Sequence, residues 1–223
     1  MESVRLGNSR GDEKMRTKSQ TKRRGSSGIE FALSSLFWVP LLTGTLVIGT
    51  NVIKANQVVH FCRDIGHMWA YGVDFSQASA QTMMAQLAQG LSFNTNGTGN
   101  GVVMLSNVTY IGNQQCLAAG LAANTTACPN LNQAVFTRRV VVGKTSLRSS
   151  NFGTPPSAII GTRGFIAATD YCTNTNDRAS NFVALLPLAP GDVSSLTETY
   201  FISPEFDWTG IMTGTAEYSY AIF

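Results

Sequence analysis

The sequence predicts an α+β protein: a long N-terminal transmembrane helix with an amphipathic extension, packed against a C-terminal antiparallel β-sheet. Three observations predict it. Ile29 to Ile53 is a run of 25 residues in which Glu30 is the one charge. Apolar residues then continue at helical spacing through Val58, Phe61, Cys62, Ile65, Met68 and Trp69. Past Asn100 the period changes, and β-branched runs bounded by Gly or Asn take over.

The first element is a helix from about Ser27 to about Tyr71. At about 1.5 Å per residue, Ile29–Ile53 is long enough to cross a hydrocarbon core of about 30 Å. It exceeds the usual signal-peptide apolar run of about 7–15 residues. Pro40 and the scattered Gly and Thr are tolerated in a membrane helix, where neighbours re-satisfy freed backbone groups. In the second half His60, Arg63, Asp64 and His67 fall between the apolar positions, which makes this part amphipathic. "FSQASAQTMMAQLAQGL" reads as a second helix, with Ser76 at its N-cap and Gly90 near its end. "NTNGTGNG" is a loop.

The strands follow. "GVVMLSNVTYIG" and "AVFTRRVVVGKTSL" read as two, "LAPGDVSSLTETYFIS" as a turn at Pro190–Gly191 and a third. "GTAEYSYAIF" is a fourth, with Ala216, Tyr218, Tyr220 and Ile222 on one face. Four strands with hairpin-scale or longer connections favour an antiparallel sheet, and its buried face needs the amphipathic half of the helix. Residues 149–189 carry no sustained period that points to a helix or a strand. The domain plan is a basic leader over 1–25, the helix over 26–72 and an α+β domain over 73–223.

Charge is sparse, 13% of residues against about 25% in soluble domains. It is also uneven. The first 25 residues carry eight of the sixteen Lys and Arg and three of the thirteen acids. The basic character therefore belongs to the tail and not to a nucleic-acid-binding face, so no nucleic-acid partner is expected. Lys14, Arg16, Lys18, Lys22, Arg23 and Arg24 crowd one flank of the apolar run, whereas Lys54 and Arg63 are the nearby cations on the other. The positive-inside rule then places the N-terminus in the cytoplasm and the chain after about Ala55 outside.

Enzyme motifs fail on inspection. "VVVGKTSL" resembles a phosphate loop, but Arg138 stands where its first glycine is required, and Lys144 reads as a surface lysine. His60, Asp64 and His67 share a helix face that reads as juxtamembrane polar surface rather than a metal site. They include both histidines of the chain, so a Ser-His or Cys-His mechanism has no imidazole in the distal domain. Glu205 and Asp207 read as solvated turn residues rather than calcium ligands. The Asn-x-Thr triplets at Asn96, Asn107 and Asn124 read as part of an Asn- and Thr-rich composition. No catalytic residue, metal or cofactor is expected.

Glu30 is the anomaly, because a charge deep in lipid costs on the order of 2.5–3.5 kcal/mol on insertion scales. It falls five residues after Gly25, which follows Arg23 and Arg24. A cut between Gly25 and Ser26 would make Glu30 the fifth residue of the mature chain, one helical turn from a new α-amine. Basic residues, Gly, four residues, Glu and a hydrophobic run resemble the class III signal of type IV pilins. "GSSGIEFAL" followed by a long apolar helix resembles the TadE-like minor pilins of tight-adherence (Flp) pilus systems. The match covers about Arg23–Ile53 and is general thereafter. Ser26 departs from the aromatic first residue of many type IV pilins, and the leader is long. A cut at Gly28 is the alternative; it would leave Glu30 as the second residue and break the spacing.

The resemblance implies a minor pilin or pseudopilin, cut by a prepilin peptidase on the cytoplasmic side of the bacterial inner membrane. Its partners would be that peptidase, other pilus subunits and assembly machinery, and membrane lipid. Gly25 and Ser26 would define the cleavage site, Glu30 would dock subunits, and Ile29, Phe31 and the residues on to Ile53 would hold the chain in the membrane. The competing reading is an unprocessed single-pass membrane protein with an extracytoplasmic binding or adhesion domain.

Four cysteines remain. Cys116 and Cys128 bracket the loop "CLAAGLAANTTAC" on the side of the membrane that permits disulfides, and closing it is worth about 3 kcal/mol in the chain-entropy model. Cys62 and Cys172 would form a second bridge if all four pair. No Cys-x-x-Cys spacing suggests zinc.

Overall fold

The computed structural model describes residues 24–203 and 215–223. Most of the leader, and the Glu205 and Asp207 pair, lie outside the described residues. Helix α1 runs Arg24–Ala70 with Pro40 inside it. Pro40 has no N–H for the carbonyl one turn back. Thr43 Oγ1 donates to the carbonyls of Val39 (2.9 Å) and Pro40 (3.1 Å), so this polar side chain is satisfied within its own helix.

The chain divides into two units, Met1–Gly49 and Thr50–Phe223. The folded domain therefore begins well before residue 73, because the second half of α1 is part of its core. Val58, Phe61, Ile65 and Trp69 are buried with Val103, Leu105, Val140, Val142 and Phe201 of the sheet and with Phe75, Ala80 and Met84 around helix α2 (Ala78–Leu87).

The sheet contains β1 (Gly101–Tyr110), β2 (Ala134–Gly143), β3 (Val193–Ser203) and β4 (Thr215–Ile222), all antiparallel, in the order β2-β1-β3-β4. A bulge at Asn107/Val108 shifts the β1–β2 register. The expected sheet packed on the amphipathic half of the helix is what forms.

A second layer covers the other face. Val108, Phe136 and Leu196 are buried there with Phe152, Ile166, Ala179 and Phe182, all contributed by the 145–192 excursion. With both faces covered, β1 is buried almost throughout, which explains its apolar run without alternation. The excursion includes α4 (Ala168–Thr173), α5 (Phe182–Leu185) and several three-residue 3-10 turns. A shorter helix, α3 (Asn113–Ala118), follows β1, and Gly112 N donates to Gln115 Oε1 at its start.

One local expectation changes. Ser76 is not the N-cap of α2; Gln77 occupies that place and makes no side-chain cap. Ser76 N and Oγ both donate to Asp74 Oδ1, at 3.1 and 2.7 Å, so the Ser76 hydroxyl is engaged one residue before the cap position. Gly66 is a close-approach position that periodicity does not reveal. A β-carbon there would collide with the Phe223 ring, which also lies 4.4 Å from the His67 ring.

Candidate functional site

The start of α1 carries the residues singled out from sequence. The Gly25–Ser26 bond lies in the first turn of the helix, and Glu30 is exposed in the second. Around and beyond Glu30 the apolar side chains are exposed in sequence: Ile29, Phe31 (76%), Leu36, Phe37, Trp38 (57%), Leu41, Leu46, Ile48 and Ile53. The helix is long and apolar enough to cross a membrane, and its most apolar window is not buried within the protein. An exposed apolar surface of this extent is consistent with a membrane anchor. Ser26 and Glu30 are four residues apart, so they share a helix face and stand about 6 Å apart along the axis.

The adjacent arginines of β2 point to opposite faces, and each has acquired its own partners. On the helix side, Arg138 Nη2 donates to Asp74 Oδ1 at 2.5 Å and its Nε to the Arg163 carbonyl at 3.0 Å. Its guanidinium stacks between the Trp69 and Phe165 rings at 4.4 and 4.3 Å. Arg138 thus fills, as a structural clamp, the position where a phosphate loop needs glycine.

On the far face, Arg139 Nη1 lies 3.7 Å from Glu198 Oε2, with both side chains buried. That distance gives attraction without a shared hydrogen. The hydrogen bonds go elsewhere: Arg139 Nη1 donates to Ser106 Oγ at 2.7 Å. Glu198 accepts from Asn151 N at 3.0 Å, from Tyr218 Oη at 2.8 Å and from Ser150 Oγ. Burial lowers the affinity of Arg139 for its proton and the Glu198 carboxylate opposes that; burial and Glu198 together raise the Tyr218 phenol. The network is buried at Arg139 and Glu198, reaches the surface through Ser150, Asn151 and Tyr218, and ties residues 150–151 to β3 and β4. Its geometry is that of a clamp.

Cys116 and Cys128 are joined, with Cα atoms 6.0 Å apart. The second bridge is not formed. Cys62 and Cys172 are both free and buried. Cys62 Sγ sits 3.7 Å from the Thr197 carbonyl on the helix side of β3, whereas Cys172 on α4 belongs to the cluster of Cys116 and Cys128. Of His60, Asp64 and His67, the first two line a small open pocket with Gln57, Phe61, Leu87, Gln89 and Leu91. His67 instead stacks on Tyr71 and meets the Phe223 ring at a tilt, so no three-ligand centre assembles on this face among the described residues. Lys144 is exposed just past β2. Asn96 and Asn124 accept hydrogen bonds from backbone N–H groups two residues on, which is turn chemistry.

Asp177 was not legible in the sequence. It is fully buried, and neither carboxylate oxygen has a hydrogen-bond partner. Burial, with Asp170 nearby, pushes its pKa up to about 8. An unfolded Asp titrates near pH 3.9. Below about pH 4 the carboxyl is protonated in both states. As pH rises from there to about 8, the unfolded chain releases a proton that the folded chain keeps, so stability falls. The slope is at most about 1.4 kcal/mol per pH unit. Asp177→Asn is expected to raise the unfolding midpoint above wild type at pH 7, with the two converging near pH 4. Thermal scans across that range check this; a difference that does not change with pH removes the buried-proton account.

Comparison with protein-family models, curated proteins and solved structures finds no match to this chain.

Proposed function

We propose that this chain is a minor pilin or pseudopilin of a tight-adherence pilus system, an assembly part and not an enzyme. In this reading a prepilin peptidase cuts between Gly25 and Ser26. Residues 29–53 then hold the subunit in the bacterial inner membrane, with the new N-terminus at Ser26 on the cytoplasmic side and the sheet domain outside, until it joins other subunits. The observation that carries the reading is the order along α1: basic residues, Gly25, Glu30 four residues after the new first residue, then a continuous exposed apolar surface. The Cys116–Cys128 bond supports an oxidising location for the sheet domain. Glu30 gains its purpose from the cut. A new α-amine adds positive charge to the already positive helix start, and a carboxylate one turn on, or on a neighbouring helix, compensates it.

Processing is the decisive test. N-terminal sequencing of the membrane-extracted protein, from cells that make a prepilin peptidase, should return a chain beginning at Ser26. Gly25→Leu is expected to abolish cleavage while leaving membrane insertion intact, read as a mass that retains residues 1–25. A wild-type chain that keeps its leader beside an active peptidase overturns this reading and favours the unprocessed single-pass binding protein.

A further inference from the structure

The third cluster of the domain core holds three cysteines. Cys116 on α3, Cys128 in the loop after it and Cys172 on α4 are fully buried with Ile111 and Val135. Their Sγ atoms all lie within 4.8 Å of one another. Cys116 and Cys128 are bonded, and Cys172 is a free thiol against that bond. The local backbone brings it there from far along the chain. Asn130 Nδ2 donates to the carbonyls of Tyr171 (2.8 Å) and Asn174 (2.7 Å), and Asn130 N to the Cys172 carbonyl at 3.2 Å. The loop that carries Cys128 is therefore pinned to the helix that carries Cys172 on both sides of the thiol.

We infer that Cys116, Cys128 and Cys172 form a thiol–disulfide exchange centre, in which the Cys172 thiol displaces one cysteine from the Cys116–Cys128 bond. The step balances without an oxidant or a reductant. Cys172 gives up its proton and its sulfur attacks one sulfur of the bridge. A new bond from Cys172 to that sulfur forms, the Cys116–Cys128 bond breaks, and the displaced thiolate takes up a proton. Each isomer keeps one disulfide and one thiol within the cluster.

The isomers are not equivalent. Cys116–Cys128 closes a short loop, with a separation of 12 residues. Either bond to Cys172 closes a much longer one and fastens α4, and with it the excursion over the far sheet face, to the α3 segment. In the chain-entropy model the longer loop restricts the unfolded chain more, so exchange converts a local staple into a long-range one. Burial keeps the Cys172 thiol protonated beyond its ordinary range, which makes exchange slow in the closed fold and dependent on local opening of α4. Cys62 stays outside the centre, on the helix side of the sheet.

The test is disulfide mapping of the full-length protein in detergent, purified without reductant and incubated at mildly alkaline pH without added thiol. Samples are quenched in acid, alkylated under denaturing conditions and digested. The expected result is the gradual appearance of peptides linking Cys172 to Cys116 or Cys128, while the number of free thiols per chain stays constant. Cys172→Ser should lose these peptides entirely and retain the Cys116–Cys128 link. Cys116→Ser and Cys128→Ser, when folded by near-ultraviolet circular dichroism, should each show a disulfide to Cys172. The wild-type map decides the matter even where a variant does not fold: a Cys116–Cys128 peptide alone after prolonged incubation, with Cys172 still fully alkylated, overturns the exchange centre.

Discussion

Replacing Glu198 by Ala is expected to lower the stability of the sheet domain by about 3–5 kcal/mol, a large part of the roughly 5–15 kcal/mol that holds a typical domain folded. The reason lies in what Glu198 leaves behind. Arg139 stays charged whatever its surroundings, and its side chain is buried 3.7 Å from the carboxylate. Ser150, the Asn151 N–H and Tyr218 lose their shared acceptor at the same time. One buried cation is then left without its counter-charge, and three partly buried donors without their common acceptor. Removing both charges is a different matter. Glu198→Leu combined with Arg139→Met is expected to cost much less than the sum of the two single changes, because no charge is left unpaired. Thermal and urea unfolding of the full chain in detergent, followed by near-ultraviolet circular dichroism, measures all four proteins. A Glu198→Ala protein within about 1 kcal/mol of wild type would mean that the network is hydrated and that Arg139 does not depend on its neighbour.

The contrast between this network and the rest of the fold shows what a sequence displays. Helices and strands with sustained periods were readable: Val58 to Trp69 for the second half of α1, and the alternating Tyr218, Tyr220 and Ile222 for β4. These residues interact with neighbours that their own spacing implies. Ser76 misled because Asp74, two residues earlier, holds its hydroxyl. Residues 149–189 had no period to read, since their order comes from distant partners. Arg178, for example, donates from Nε to Asn130 Oδ1 and from Nη2 to the Pro129 carbonyl, both at 2.8 Å and nearly fifty residues away. The paired arginines 138 and 139 were the one available signal of buried charge, since neighbours in a strand must face opposite ways. Glu198 could not be named as a partner without the register of β1 against β2 and β3, nor Asp74 without the packing of the segment after α1 against β2. Pairing Cys62 with Cys172 failed for a related reason: counting cysteines assumes that all of them pair, and these two lie in different layers.

On the proposed pilin reading, Glu30→Gln is expected to abolish incorporation into the pilus machine while leaving insertion and cleavage intact. Insertion should survive because a neutral amide is no worse in lipid than a carboxylate, and the apolar surface from Phe31 to Ile53 is untouched. Cleavage should survive because the Gly25–Ser26 bond lies a full helical turn from the substituted side chain. Assembly is where the proposed pairing acts. In a bundle of helices surrounded by apolar side chains, the Ser26 amine and the Glu30 carboxylate, on one chain or between neighbours, compensate each other's burial. Truncating one partner leaves the other charged and alone, at a cost of about 3–5 kcal/mol, or a loss of more than a hundredfold in the association constant. The assay compares cleaved Glu30→Gln and wild-type protein, at equal membrane abundance, for co-isolation with other pilus subunits. Glu30→Asp, which keeps the charge on a shorter stem, should recover part of the wild-type yield, whereas Gln, closer in shape, should not. Equal co-isolation of the Gln variant and wild type would make Glu30 a residue of the membrane interface only, and the one-turn spacing to Ser26 would then have no role in assembly.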